Sequence, residues 1–436
     1  MSFLGGAGVG ARTARIREVW RGDRFLRRLT LFALFSLVAY AIVRHFIHTS
    51  MVDMLVYRAE GAAVVHGDDL YRLRTHGNLP ATYPAFAALL FTPFAFLPVG
   101  FLRVAVTCAN LVLLGYLAVL SCRLVGWPGP ERRPHAAVAA VGFGVWLEPV
   151  YTTLRYGQIN LLIAVLVLAD VIRADRNRFA GIGLGIAAGL KVTPWFFIVY
   201  LLLTGRFRTA GRAVVSFLAT IAVGAAFLPG ASWGFWTKYL YQTRRVGKEY
   251  IVDNQSVRGM VDRILHTTHA GISVTLLAGL VAVGGLALAV LLVRRPVALR
   301  RPQAWSVVCC AVTMLLISPI SWTHHWVWCV PLLVLLAAEA AEERARLVRP
   351  RRWRVVLAAV GLAFCANSMW LVPHKGPRDL AVPAWLQAFA APYPLLGLAL
   401  LGLGGWRYLR RARPLLPPGG GLARVPEQAS SRVGVG

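Results

Sequence analysis

One uninterrupted apolar stretch decides the fold class of this sequence: residues 272–293 read ISVTLLAGLVAVGGLALAVLLV. These 22 residues contain no charged side chain, and Arg294 and Arg295 follow them directly. A helix needs about 20 mostly apolar residues to cross the hydrocarbon core of a bilayer, which is about 30 Å thick. The stretch is therefore predicted to be a membrane-spanning helix.

Further apolar runs recur along the 436-residue chain, at 29–43, 136–145, 161–169, 214–228 and 355–364. Charged residues make up only 15% of the chain, against about 25% in a typical soluble domain. Only helices and closed barrels satisfy their backbone hydrogen bonds in lipid, and these runs lack the two-residue alternation of barrel strands. The sequence predicts an all-α fold, a polytopic transmembrane helical bundle.

The formal net charge of +29 raises the question of nucleic-acid binding. We exclude it, because the basic residues lie in short loops between apolar runs and not in a soluble basic domain. This is the positive-inside pattern, with some attraction to anionic lipid headgroups. The clusters that mark the cytoplasmic side are the N-terminus, 123–133, 173–178, 206–212, 294–301, 344–354 and 407–413.

Threading the apolar runs between these clusters predicts about twelve spans with both termini inside. Loops 48–82 and 230–270 then lie outside. Segment 180–203 has basic flanks at both ends and is interrupted by Lys191 and Pro194, so it is predicted to be two short spans or a re-entrant hairpin. The apolar piece 83–97 is predicted to be re-entrant or interfacial.

Three regions are expected from this organisation. Residues 1–28 form a basic cytoplasmic N-terminus, and residues 29–410 form the transmembrane domain. Residues 411–436 form a Gly/Pro-rich cytoplasmic tail whose composition predicts disorder.

The first outer loop contains the strongest candidate for catalysis. Asp53 follows the first span and should lie at the membrane–water boundary, where an unused carboxylate costs free energy. The alternative is that Asp53 caps the helix that follows it. Arg58 is expected to pair with Asp53 or to bind a phosphate through its planar guanidinium group.

Lys191 is one of only four lysines and lies within an apolar stretch. A cation at membrane depth either extends to the interface or meets an anion, so Lys191 is a candidate phosphate ligand. Gln158 and Asn160 open a span from the outer side. Their amides are suited to sugar hydroxyls or, alternatively, to cross-linking helices.

Two polar groups complete the candidates. His324 and His325 begin a span in the segment SPISWTHHW, residues 318–326, where the alternative is a structural role in an aromatic belt. Asn254 and Gln255, in the large outer loop, suit sugar binding or an Asx turn. The chain shows no metal-binding spacing, so we expect neither a metal site nor a cofactor.

Together these residues resemble glycosyltransferase family 87, of the C-type superfamily of multi-spanning enzymes with lipid-linked donors. The resemblance extends from about residue 50 to 330. Its pieces, in chain order, are Asp53 with Tyr57-Arg58 and Gly61, Gly67 to Tyr71, Tyr83-Pro84 before Phe86, Gly157-Gln158-Ile159-Asn160, Lys191 to Pro194, Asn254-Gln255-Ser256, and Ser318 to His325. The position before the His pair is often acidic in the family and is Thr323 here, which argues against a second carboxylate at that turn.

The resemblance implies an inverting, metal-independent transfer of mannose from a polyprenyl-phosphate-mannose donor to a glycolipid or lipoglycan acceptor. Asp53 is the implied general base. Lys191, Arg58, His324 and His325 are then the candidates for binding the donor phosphate, and the candidates for sugar or acceptor contact are Tyr57, Tyr83, Gln158, Asn160, Asn254 and Gln255. The implied location is the cell membrane, with the active site on the extracytoplasmic side.

Two other functions remain open from the sequence. An arabinofuranosyl or other polyprenyl-phosphate-sugar transferase would keep the same base and change the sugar pocket. A lipid or sugar transporter would favour inverted repeats and ionisable groups at the middle of the bilayer, whereas the candidate residues here lie near the outer boundary.

Overall fold

A computed structural model describes residues 23–47, 49–75, 78–268, 270–295, 299–345 and 352–412. Within these ranges the chain is helical and contains no β-strand, only two isolated bridges, between Arg74 and Pro80 and between Asn254 and Trp322. The all-α prediction is confirmed. Most of the basic N-terminus expected at 1–28, and nearly all of the tail expected at 411–436, lie outside the described residues.

The helices are numbered in chain order. The first ten are α1 (Arg24–Phe46), α2 (Val52–His66), α3 (Ala85–Ala95), α4 (Val99–Val125), α5 (Arg133–Gly144), α6 (Glu148–Tyr156), α7 (Asn160–Arg173), α8 (Ile182–Leu190), α9 (Trp195–Leu203) and α10 (Phe207–Phe227). The remaining nine are α11 (Pro229–Thr237), α12 (Thr243–Val246), α13 (Val257–Ile264), α14 (Gly271–Arg294), α15 (Pro302–Ile317), α16 (Cys329–Ala345), α17 (Arg352–Cys365), α18 (Gln387–Ala390) and α19 (Pro392–Ala412). A 3₁₀ segment, Thr323–Trp328, leads into α16.

Six of the described helices are long and apolar enough to cross a membrane: Leu26–Phe46, Val99–Val125, Phe207–Phe227, Gly271–Arg294, Thr323–Ala345 and Arg352–Trp370. Two further pairs, α5 with α6 and Ala384–Ala390 with Pro392–Arg410, pass the same test as bent units, each with a bend of 78°. The chain is therefore a multi-pass helical bundle with six to eight candidate spans. The larger count of about twelve includes shorter segments and stays a prediction.

The segment around Lys191 is broken where the sequence predicts it. Helices α8 and α9 have nine residues each, so at 1.5 Å per residue each is about 14 Å long, too short to cross a bilayer. The Leu184 amide, near the start of α8, donates to Asp170 at 2.8 Å, and Arg206, just after α9, donates to the Val171 carbonyl at 3.1 Å. Both ends of the segment thus meet the end of α7, and the pair is a hairpin whose turn carries Lys191.

Helix α15 forms the centre of the bundle. Its residues from Ala304 to Leu316 are all buried, as expected for a helix that is apolar on every side. It leads directly into the turn at 318–322 and so fixes the position of the His pair that follows.

Close packing of α2 against α3 holds the first outer loop in place. A Cβ atom added at Gly61 would lie 2.2 Å from the Phe91 carbonyl oxygen, so the two backbones are in direct contact there. Helix α3 has only 11 residues and begins directly after Pro84, so it is about 16 Å long and does not span a bilayer.

We predict that Gly61→Ala destabilises the protein, because the added methyl group meets backbone that cannot move away, at a cost of about 1–3 kcal/mol. The matched control is Gly279→Ala in α14, where nothing lies within 4 Å of an added Cβ. Alanine is the better helix former, so this control should be neutral or stabilising. Thermal unfolding in detergent measures both variants, and equal midpoints would contradict the close approach.

Candidate active site

Asp53 lies in the first turn of α2. The helix cap is Met51, whose φ of 47° is left-handed, and whose buried amide donates to the Arg155 carbonyl at 3.0 Å. The alternative role of Asp53 as a helix cap is therefore not realised. A carboxylate in the first turn is still favoured by the helix dipole.

The surroundings of Asp53 make it a stronger base than an ordinary aspartate. Burial raises the pKa of its carboxyl group from 3.8 to about 6, while a hydrogen bond from Gln158 and the charge of Lys191 act in the opposite direction. At neutral pH the group is mostly ionised and retains substantial proton affinity, which is the condition for general-base catalysis.

Gln158 is held beside Asp53 by two tyrosines. The Tyr57 hydroxyl donates to the Gln158 side-chain oxygen at 2.9 Å, and the Tyr83 hydroxyl lies 3.3 Å from the same atom. Gly157 makes this arrangement possible, since its φ is +71° and an added Cβ would lie 2.8 Å from the Met54 side chain. The amide group of Gln158 is thus oriented with its nitrogen donating to the Asp53 carboxylate.

Lys191 is held in the turn between α8 and α9 by two polar partners. Its ammonium nitrogen lies 3.2 Å from the Asn160 side-chain oxygen and 2.8 Å from His325 Nε2. Asn160 donates in turn to the His324 carbonyl at 3.0 Å. A protonated ammonium donates to both partners, which leaves its third hydrogen for a ligand.

One cavity of about 300 Å³, here called the Asp53 cavity, brings these groups together. Six of its lining residues carry the chemistry: Asp53, Tyr83, Gln158, Lys191, Arg245 and His325. Its volume is at the lower end of the range of about 300–1,000 Å³ typical of small-molecule sites. The structure thus brings a carboxyl group, an ammonium group and an imidazole together in one pocket.

Two of the candidate phosphate ligands lie elsewhere. Arg58 donates to the backbone carbonyls of Leu97 and Ala95, at 3.4 and 3.3 Å, and does not line the Asp53 cavity. His324 is buried behind His325, with its ring 5.6 Å from that of Tyr156. The structure therefore places neither side chain in the Asp53 cavity.

Asn254 and Gln255 are completely buried and bonded to backbone. The Asn254 amide donates to the Glu249 and Pro319 carbonyls and accepts from the Ser321 amide. Gln255 donates to the Val252 and Ala390 carbonyls, at 2.7 and 2.8 Å. The Asn254 side chain therefore holds the turn at 318–322 in place, whereas the Gln255 side chain ties its own loop to Ala390, and neither lines the Asp53 cavity.

Sequence reasoning missed Arg245, which lines the Asp53 cavity and donates to the Tyr71 and Ala81 carbonyls at 2.8 and 3.3 Å. Its guanidinium group also lies 4.5 Å from the centre of the Tyr239 ring. A signal was present, because Arg244 and Arg245 lie in a loop assigned to the outside, against the positive-inside pattern.

No group of three or more His, Cys, Asp or Glu side chains is placed to hold a metal ion in the part of the chain that the structure describes. The polar groups of the Asp53 cavity are instead two cations, a carboxyl group, amide and hydroxyl groups, and an imidazole. Such a set suits an anionic ligand that carries hydroxyl groups.

Known proteins with a similar sequence are glycosyltransferases. The model of glycosyltransferase family 87 matches residues 81–319. A polyprenol-phosphate-mannose-dependent alpha-(1-2)-phosphatidylinositol mannoside mannosyltransferase of Mycobacterium tuberculosis is 31% identical, over 94% of this chain and 99% of its own length. Its namesake in Mycolicibacterium smegmatis is 33% identical, over 80% of this chain and 82% of its own.

A pentamannoside mannosyltransferase of M. tuberculosis, named as dependent on the same donor, is 33% identical over 83% of each chain. No solved structure matches the chain.

Proposed function

The chain belongs to glycosyltransferase family 87, and we propose that it transfers mannose from polyprenyl-phosphate-mannose to a glycolipid acceptor, with inversion at the anomeric carbon. Curated relatives with this donor in their names align with nearly the whole chain. The observation that carries the proposal is the Asp53 cavity, which combines a base with two cations.

Asp53 acts as the general base in this proposal. As an acceptor hydroxyl oxygen bonds to the anomeric carbon, its proton passes to the Asp53 carboxylate. The bond between that carbon and the phosphate oxygen breaks at the same time, and polyprenyl phosphate leaves with the electron pair. Because the attack comes from the opposite face, a β-linked donor yields an α-mannoside. The phosphate leaves without a proton, so a second carboxyl group is not needed.

Lys191 and Arg245 bind the donor phosphate in this proposal. Both line the Asp53 cavity, and charge grows on the phosphate as the bond breaks, so fixed cations stabilise the transition state more than the ground state. His325 orients Lys191 through their 2.8 Å contact and supplies a hydrogen bond. Asn160 also accepts a hydrogen bond from the Lys191 ammonium and so helps to orient Lys191 toward the phosphate.

Gln158 and Tyr83 contact the sugar in this proposal, since both line the cavity beside the base. Tyr57 is 1% exposed and hydrogen-bonds both of them, so its role is to orient them.

The proposed location is the cell membrane, with the Asp53 cavity facing the extracytoplasmic side of a C-type fold with about twelve spans. Asn160, at the start of α7, contacts Lys191 beside the cavity, whereas Arg173 is the last residue of the same helix, about 20 Å away along its axis. The segments after Arg173 and before α10 are rich in arginine, as expected for a cytoplasmic face.

We predict that Asp53→Asn folds normally and loses about 10²–10⁴-fold in transfer rate, because the amide keeps the shape and removes the base. The matched control is Asp68→Asn in the same loop, which is exposed and should behave as wild type. Radiolabelled transfer from polyprenyl-phosphate-mannose by purified protein measures the rate, and near-normal activity of Asp53→Asn would remove Asp53 from catalysis.

The same assay gives a pH test. Because the pKa of Asp53 is raised to about 6, the base is ionised above that pH and protonated below it. The kcat/KM of the wild type should therefore fall as the pH decreases through about 6, and a rate that stays constant from pH 7 to 5 would contradict the assignment.

We predict that Lys191→Met and Arg245→Met each weaken donor binding and slow turnover, while the KM for the acceptor changes little. Each variant removes a positive charge that would face the phosphate, and methionine keeps an apolar side chain of similar length. Arg244→Met is the control, because Arg244 is exposed and does not line the Asp53 cavity. Kinetics with varied donor concentration measure the effect. If both variants keep the wild-type KM for the donor and the wild-type kcat, neither residue binds the donor phosphate.

The orientation is tested by labelling single cysteines in intact cells, after the exposed Cys108 and Cys365 have been replaced. A cysteine at Asp69 should react with an impermeant reagent from outside, and a cysteine at Arg208 should react only after the cells are opened. The reverse pattern would place the Asp53 cavity on the cytoplasmic side.

A further inference from the structure

A second polar cavity lies next to the Asp53 cavity and has no role in the mechanism above. Its volume is about 490 Å³, and we name it the Asp379 cavity after the most buried of its carboxyl groups. The residues that matter here are Tyr151, Tyr156, Asp253, Trp370, His374 and Asp379.

Asp379 has one side-chain oxygen that nothing in the protein satisfies. The residue is 1% exposed, and its Oδ1 accepts a hydrogen bond from the Val252 amide at 2.8 Å, which fixes the side chain. Its Oδ2 is buried and has no hydrogen-bond partner. A buried carboxylate oxygen without a donor costs free energy, and Asp379 lines the cavity, so a hydroxyl group that reaches it from there is favoured.

The rest of the lining favours a sugar. The rings of Tyr151, Tyr156 and Trp370 offer apolar surface, as expected for the C–H faces of a pyranose, and Asp253 adds a second carboxyl group. Aromatic walls with a few fixed polar groups are typical of small-molecule sites. Hydroxyl groups are the donors that such carboxylates need.

The charges of the cavity favour an uncharged ligand over an anion. Its two carboxylates face two exposed basic side chains, Arg155 and Lys375, and the charge of the buried Arg263, which does not line the cavity, also acts on both carboxylates. A phosphate placed against Asp253 and Asp379 would meet repulsion from both, whereas sugar hydroxyls would donate to them.

The two cavities are lined by neighbouring residues. Tyr156 lines the Asp379 cavity and Gln158, two residues further on, lines the Asp53 cavity. The Tyr156 hydroxyl is within electrostatic range of both Asp53 and Asp253. The Asp253 carbonyl accepts from the Thr323 amide at 3.0 Å, next to Trp322, which lines the Asp53 cavity.

We propose that the Asp379 cavity binds uncharged sugar residues of the acceptor glycan, those that precede the residue receiving the new mannose. This inference rests on the proposed transferase function. The acceptor hydroxyl lies at Asp53, and the glycan extends over Tyr156 to Trp370 and Asp379. The cavity thereby selects acceptors that already carry more than one sugar.

The test compares two synthetic neutral acceptors, an alkyl α-mannoside with one sugar and an alkyl trimannoside. Asp379→Asn and Trp370→Ala should each raise the KM for the trimannoside by about tenfold, as expected for losing one hydrogen bond to a charged group or one stacking surface. The kcat, the KM for the donor and the KM for the monomannoside should stay within twofold of wild type. Trp385→Ala, a tryptophan that is 75% exposed on the neighbouring loop, is the matched control.

Equal effects on both acceptors, or no effect on either, would overturn the proposal. A selective loss with an acceptor that carries a phosphoinositol group, and none with the neutral trimannoside, would also overturn it and assign the cavity to an anionic headgroup.

A binding measurement separates this proposal from the proposed function. Saturation-transfer NMR with the soluble trimannoside should detect binding to Asp53→Asn protein and lose it in the Asp53→Asn, Asp379→Asn double variant. If the trimannoside binds in a way that depends on Asp379 but the wild type transfers no mannose, the transferase function alone is overturned. Normal transfer with no such binding would overturn the sugar site alone.

Discussion

The contact between Lys191 and His325 is the interaction on which the rest of the site depends. An ammonium group inside an apolar bundle costs free energy unless polar groups surround it, and here Asn160 and His325 supply them. The contact joins the α8–α9 hairpin to the start of α7 and to the turn before α16. The Asn254 side chain and the Gln255 backbone amide hold that turn, and α15 leads directly into it. A large share of the bundle thus serves to hold one charge in place.

The carboxylate and the two cations of the site are placed on different elements of the fold. Asp53 lies on α2, which is fixed by the close packing of Gly61 on α3 and by the bond between Met51 and Arg155. The cations come from the hairpin turn and from the short helix α12, which carries Arg245. A carboxylate and two cations placed on different elements around one cavity can act on the two sides of a reacting carbon. A tight ion pair between them would quench both.

The sequence was sufficient for the helical class, the break at Lys191 and the meeting of Asp53, Lys191 and His325. Hydropathy and charge placement encode the first two, and the ordered family motifs encode the third. The roles of Arg58, Asn254 and Gln255 could not be predicted, because an amide or guanidinium group looks the same in sequence whether it meets a ligand or a backbone carbonyl. The number of spans is also uncertain from sequence, since helices as short as α3, α8 and α9 give apolar signals without crossing a bilayer. Asp379 was missed because the Val252 amide that fixes it is 127 positions away in the chain.

The α8–α9 hairpin has a consequence for how the protein is made. Neither helix is long enough to be inserted into the bilayer on its own, so the two must enter as a pair, against neighbours that already cover the open backbone of the turn. Both ends of the pair return to the same end of α7. The chain therefore leaves the hairpin on the same side of the membrane from which it entered. The orientation of every helix from α10 onward is therefore independent of how deeply the hairpin reaches into the bilayer.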